Sequence, residues 1–175
     1  MTMTFRKSSS HDGFTFIELM ATVVIIGIVS AMAVPRFDAA FERIRYRSAN
    51  RLLVSKIKVA RSLAISSKVQ HGVFFDGTTK LVVVFRDDLN PASYQFDTGD
   101  SVITTDSLGR EFSWVGTNLD GDVLVFGANG AAHFTASGGT GANIVTMLSS
   151  GHTLAITSHN VLASTGRIKS MSNYY

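Results

Sequence analysis

Residues 13–35 read GFTFIELMATVVIIGIVSAMAVP, and the architecture of the chain turns on them. From Phe14 to Val34 the stretch holds one ionisable side chain, Glu18, in 21 residues. Coiled as a helix at about 1.5 Å per residue, it reaches roughly 30 Å, the thickness of a bilayer's hydrocarbon core. The polar segment ahead of it, 1–13, carries Arg6 and Lys7, which favour the cytoplasmic side. A conventional secretory signal places a small-residue cleavage site after an apolar stretch of about 7 to 15 residues. Here the small residue, Gly13, precedes the apolar run, so cleavage behind it removes the leader and keeps the helix. An ordinary single-span anchor is the competing reading.

Glu18 separates the two readings. An ionised carboxylate within a bilayer costs a few kcal/mol on insertion scales, and a plain anchor has no use for one. If cleavage frees an amine at Phe14, that cation lies one helical turn from Glu18, in the same chain or a neighbouring one. Pairing then offsets desolvation and chiefly provides register.

Gly13, Phe14, Thr15 and Glu18, standing as GFTFIEL, resemble the type IV prepilin motif. The resemblance implies cleavage by a prepilin peptidase after Gly13, N-methylation of Phe14, and use of Glu18 in docking the subunit into a filament. It further implies a single pass through the bacterial inner membrane with a periplasmic head, followed by incorporation into a pilus or pseudopilus. The implied partners are other pilins or pseudopilins and the inner-membrane assembly platform. Pro35 resembles the proline at the corresponding place in many pilins, where the long helix bends or loosens. Proline removes an amide donor and clashes with the preceding turn, so a helix break is expected at Pro35. The bland alternative is that the membrane helix stops there.

From Arg36 to about Lys68 there is no glycine or proline, and Tyr46, Ala49, Leu53, Ile57, Ala60 and Ala64 recur at spacings of three and four. This pattern predicts an amphipathic helix that continues the membrane helix and buries its stripe on a head. Arg43, Arg47, Arg51 and Lys58 fall on a different face, which reads either as solvated or as a contact for anionic lipid, nucleic acid or acidic neighbouring subunits.

After Lys68 the period changes. Gly72–Asp76 and Leu81–Arg86 flank a Gly-containing turn and predict a hairpin. Further strands are expected at Ser93–Phe96, Ser101–Thr105, Phe112–Val115, Val123–Phe126, Ala131–Thr135, Asn143–Leu148, Thr153–Thr157 and Arg167–Met171, with SGGTGAN, Ser137–Asn143, as a mobile connection. The fold class is therefore α+β and pilin-like: a long N-terminal hydrophobic helix continuing into an amphipathic helix packed on an antiparallel β-sheet head. The expected divisions are a leader at 1–13, a transmembrane or filament-core helix at 14–35, an amphipathic helix at 36–68 and a β-rich head at 69–175.

A second, looser resemblance rests on ARSLAIS (Ala60–Ser66), VLVFGANGAAHF (Val123–Phe134) and STGRIKS (Ser164–Ser170), which are similar to the GspH/FimT pseudopilin domain. It implies a minor pilin or minor pseudopilin. The favoured version is a FimT-like type IV minor pilin, and the alternative is the H pseudopilin of type II secretion. In some FimT-like proteins a Gly-Arg-x-Arg pattern takes part in DNA binding for uptake. Here Arg167 and Lys169 stand in GRIK, and lysine keeps the charge without the planar fork of arginine. A membrane-tethered DNA-binding module is the different-class alternative.

Composition narrows the rest. The chain has 175 residues and no cysteine, so a thiolate metal site, a disulfide and a Cys nucleophile are excluded. A net charge of +3, from 16 basic against 13 acidic residues, is too modest to diagnose a nucleic-acid binder. His11, His71, His133, His152 and His159 show no zinc-like spacing, and no Gly-x-Ser-x-Gly elbow accompanies the serines. Asn118, Asp120 and Asp122 alternate faintly like a calcium loop, but Val123 stands where such a loop needs glycine. A structural protein with no cofactor, no metal and no catalytic site is expected.

Overall fold

The computed structural model describes residues 13–109, 112–134, 141–149 and 154–174. Helix α1 spans Phe16–Ser67. Among the described residues nine strands follow: β1 His71–Asp76, β2 Leu81–Arg86, β3 Ser101–Ser107, β4 Trp114–Thr117, β5 Val123–Phe126, β6 Ala132–His133, β7 Gly141–Ser149, β8 Leu154–Leu162 and β9 Ile168–Tyr174, with a short turn of 3-10 helix at Asp120–Asp122. The chain divides into two compact units, Met1–Asp38 and Ala39–Tyr175.

In the first unit, α1 begins with a hydroxyl cap. The Glu18 amide donates to Thr15 Oγ1 at 3.3 Å, and the Leu19 amide donates to the Thr15 carbonyl at 3.1 Å. Thr15 thereby satisfies amides that the first turn leaves without helical partners, and Glu18 sits at the third helical position, where the helix dipole favours a carboxylate. The apolar residues from Phe16 to Val34 cover every side of the helix rather than one stripe, and the most apolar window has a mean hydropathy of 2.4 with none of it buried. A helix apolar all round requires a lipid or protein environment on all sides. The helix is long and apolar enough to cross a membrane, and it runs without interruption through position 35, so Pro35 does not end it.

In the second unit, the stretch of α1 after Ala39 buries the predicted stripe. Tyr46, Leu53, Ile57, Ala60 and Ala64 are fully buried, and Ala49 packs against them. They meet Val73 and Phe75 of β1, Val82 and Val84 of β2, and Ile144 and Ala155 of β7 and β8 in one core. α1 closes at Ser67, where the Ser67 hydroxyl donates to the Leu63 carbonyl at 2.7 Å and Lys68 takes a left-handed φ of 60°.

The described strands form two antiparallel sheets, one ordered β3-β2-β1-β5-β6 and the other β4-β7-β8-β9. The expected β1–β2 hairpin forms, with Asp76 opposite Leu81. Its turn is fixed by the Asp76 carboxylate, which accepts the Thr78 and Thr79 amides at 2.8 and 3.0 Å. The Thr79 side-chain bond and these amides hold Asp76 below the usual carboxylate range.

Ser93–Phe96, expected as a strand, belongs to no sheet. It lies in the turn-rich segment 87–100, which covers the second face of the five-stranded sheet. Phe96 stacks on Phe74 with centroids 5.3 Å apart and tilts against Phe85 at 4.8 Å, while Tyr94 stacks on His133 at 4.9 Å. The alternation of Tyr94 and Phe96 is real, but it serves to seat two rings on a sheet face. It also explains why β2 and β5 are almost continuously apolar: both faces of those strands are covered.

The remaining strands differ mainly in extent. Trp114–Thr117 replaces the expected Phe112–Val115, with Phe112 a fully buried core residue ahead of the strand, and β8 runs on to Leu162. Ala131–Thr135 shortens to Ala132–His133, and its last residue lies outside the described residues, as do Arg6, Lys7, His11, His152 and residues 137–140 of the SGGTGAN connection. Gly141–Asn143 of that stretch are in β7. The Asn118 side chain joins the loop after β4 to β7, its amide donating to the Gly141 carbonyl at 3.2 Å and its oxygen accepting the Asn143 amide at 2.7 Å. Thr117 bonds Asp122. The oxygens that looked faintly like a calcium loop are thus partly committed to inter-strand bonds.

Candidate functional site

Two places in the described chain are built for more than packing. The first is the junction of Gly13 and Phe14. Residues 13–15 precede the helix, all three are exposed, and Phe14 is 83% accessible. A peptidase needs an accessible bond, and this one is exposed while the helix starts behind it. A Cβ built on Gly13 meets nothing within 4 Å, so nothing in the fold itself demands glycine there. Glu18 lies one turn into the helix.

The second place is where α1 meets the four-stranded sheet. Asn50 continues the buried stripe of α1 at the spacing 46, 50, 53, 57, 60, 64, and it is the one polar side chain in that series besides the Tyr46 hydroxyl. The Asn50 amide donates to the Tyr46 carbonyl at 3.0 Å, leaving Oδ1 to accept the Thr146 hydroxyl at 2.7 Å and His159 Nε2–H at 2.8 Å. With its proton on Nε2, His159 accepts the Ser170 hydroxyl at Nδ1, 2.8 Å away. Tyr46 Oη lies 2.9 Å from the Thr146 carbonyl and 3.0 Å from Thr157 Oγ1, which in turn is 3.1 Å from Ser172 Oγ. Tyr46, Asn50, Thr146, Thr157 and His159 are buried, and burial pushes the His159 imidazolium down to a pKa of about 4. His159 is therefore neutral at physiological pH.

This network floors a cleft of about 480 Å³ between α1 and strands β8 and β9. Its rim on the helix side is Arg47, Arg51 and Lys58, so three of the four residues of the basic face gather at one opening. A second cleft of about 700 Å³ continues from Lys58 to Arg61 and Arg167. The sequence reading paired Arg167 with Lys169. The structure instead places Arg167 beside Lys58 and Arg61, while Lys169 is exposed on β9 and lines neither cleft.

Arg61 also brings three separated stretches of sequence together. Its Nε–H donates to the Gly130 carbonyl at 3.1 Å, and the Gly127–Gly130 and Thr165–Gly166 turns close upon it. Gly130 and Gly166 have φ of 78° and 61°. A Cβ on Gly166 would stand 2.6 Å from the Gly130 carbonyl oxygen and 2.8 Å from Arg61 Nε. Gly166→Ala is accordingly expected to cost about 2 kcal/mol or more, from left-handed strain and this overlap, read as a lower midpoint in denaturant melting. Sequence reasoning missed Asn50, Arg61 and His159. Asn50 sits at a stripe position, and His159 alternates with Ala155, Thr157 and Val161, so periodicity carried both signals.

Among the described residues no group of three or more His, Asp or Glu side chains is placed to hold a metal ion. The order of elements defines a class: a helix long and apolar enough to cross a membrane, with an exposed bond before it, continuing into an α+β head. The family model for the prokaryotic N-terminal methylation motif matches residues 8–34. The chain is type IV prepilin-like. No curated protein and no solved structure matches it.

Proposed function

We propose that the chain is a minor subunit of a thin filament, a FimT-like type IV minor pilin that is cleaved after Gly13, N-methylated on Phe14 and docked through Glu18. The observation that carries this reading is the exposed Gly13–Phe14 bond, set immediately before an all-round apolar helix with a carboxylate in its first turn. Prepilin peptidase and other pilins are its partners, and the inner membrane its first location, with the head periplasmic. Pro35, inside a continuous α1, is the position at which the helix loosens when it packs among similar helices, because its missing amide already leaves a carbonyl of the preceding turn without a partner.

The experiment is mass spectrometry of the mature protein from a host with prepilin peptidase. A chain beginning at N-methylated Phe14 supports the reading, and an intact N-terminus at Met1 overturns it. Gly13→Val should retain the whole leader with head melting unchanged, since the fold does not use the missing side chain.

The alternative within the class is the H pseudopilin of type II secretion. Deletion separates them: loss of secretion with pilus functions intact favours the pseudopilin. The DNA-uptake reading draws on Arg167 beside Lys58 and Arg61. If it holds, Arg167→Ala weakens binding of a short duplex in a salt-dependent way, whereas Lys169→Ala changes it less.

A further inference from the structure

β9 is the end strand of its sheet. It pairs with β8 from Ile168 to Tyr174, and no described strand pairs with its other side. Such an edge presents unpaired backbone donors and acceptors, which proteins usually blunt with charge, proline or a covering segment. β9 has no proline, and Lys169 is its one charged side chain. Its inward-facing Ser170 and Ser172 are short and stay exposed, which leaves the first cleft open above them.

The two clefts meet at Lys58 and form one groove. Its cations on α1 run from Arg47 to Arg61, a rise of roughly 21 Å, enough to accompany about six residues of extended chain. Among the described residues no Asp or Glu lines either cleft. Apolar seats at Val54, Ile65, Leu162 and Ile168 alternate with the charges. A nucleic-acid backbone makes poor use of such seats, and among the described residues neither cleft offers a Phe, Tyr or Trp on which bases would stack. An open strand edge beside a groove that is both basic and partly apolar suits a polypeptide.

We propose that this groove receives an acidic, extended segment of another protein, added as a strand beside β9, with its carboxylates over Arg51, Lys58 and Arg61. Main-chain bonds to the edge supply affinity, and the alternation of acidic and apolar side chains supplies selection. That the segment comes from a neighbouring filament subunit rests on the proposed function; strand addition itself does not.

The test uses the full mature chain in detergent micelles and fluorescence anisotropy of a capped octapeptide alternating Glu and Val. Binding should weaken with added salt, fall at least about tenfold in an Arg51→Gln, Lys58→Gln double variant, and disappear for the same peptide N-methylated at alternate residues. A Lys–Val peptide should not bind. Both substituted side chains are exposed, and an unchanged melting profile will show that the variant folds. Equal binding by wild type and variant, or by the N-methylated peptide, overturns the proposal. So does tight binding of a short duplex DNA with no binding of the Glu–Val peptide, which would make the groove a nucleic-acid site. The N-terminal mass of the same preparation reports on the prepilin reading separately, so failure of either is recognisable.

Discussion

Glu18→Ala is expected to leave leader removal intact and to reduce incorporation into filaments by at least about 100-fold. The basis is the asymmetry of buried charge. Once cleavage frees the Phe14 amine, that cation and the Glu18 carboxylate lie about a turn apart at the start of an apolar helix. Removing one partner of a buried pair leaves the other uncompensated, at about 3 to 5 kcal/mol. Glu18→Gln retains the shape and hydrogen-bonding capacity without the charge and should lose nearly as much. The measurement is the fraction of mature subunit recovered in sheared filaments, with N-terminal mass as the control. Normal filament recovery in both variants would remove Glu18 from the assembly step. The head's own stability should not change, since Glu18 belongs to the unit Met1–Asp38 and the head core lies within Ala39–Tyr175.

The second large effect is a dependence of head stability on acid. Unfolded, His159 titrates with the ordinary histidine value of 6.5; folded, burial lowers it to about 4. Between those values the unfolded chain binds more protons, so stability falls as pH falls. The contribution is intact above pH 6.5 and is reduced by about 3 kcal/mol at pH 4.

Asp87 acts in the opposite sense. Burial, and then the charges of Asp100, Asp97 and Asp88, raise it from 3.8 to about 6, and its Oδ1 is buried without a partner. Over that range the folded chain binds more protons, so protonating Asp87 stabilises the head as the pH falls. Its shift, from 3.8 to about 6, is smaller than that of His159, from 6.5 to about 4, so it offsets the histidine only in part. Circular dichroism melting of the full chain in detergent from pH 7 to 4 should therefore show a net loss in the wild type. Asp87→Asn should steepen it, and His159→Gln should reverse it. An unchanged slope in His159→Gln would show that the imidazole is not the titrating group.

The apolar stripe of α1 was legible residue by residue because helical period and burial coincide at Tyr46, Leu53, Ile57, Ala60 and Ala64. The hairpin of β1 and β2 was legible because Asp76 and Gly77 supply local turn chemistry. Ser93–Phe96 was misread for the reason that makes short apolar alternation ambiguous: rings packing onto a sheet from a loop leave the same pattern as a strand. Asn50 was not singled out and His159 was weighed only as a metal ligand, because a polar residue inside an apolar pattern acquires meaning only with its partner, and these two lie 109 residues apart.

The N-terminal site is of a different kind from the groove. Gly13, Phe14 and Glu18 stand within a few residues of one another, so spacing alone placed the proposed cleavage junction and the carboxylate on the helix. The membrane-length run was equally a property of local composition. Only the tertiary structure decided that Arg167 belongs with Lys58 and Arg61 rather than with Lys169, and that glycines at 130 and 166 close on one arginine. Those arrangements depend on how antiparallel strands return to the same helix, and a linear sequence carries no distance between turns that meet only when the sheets form.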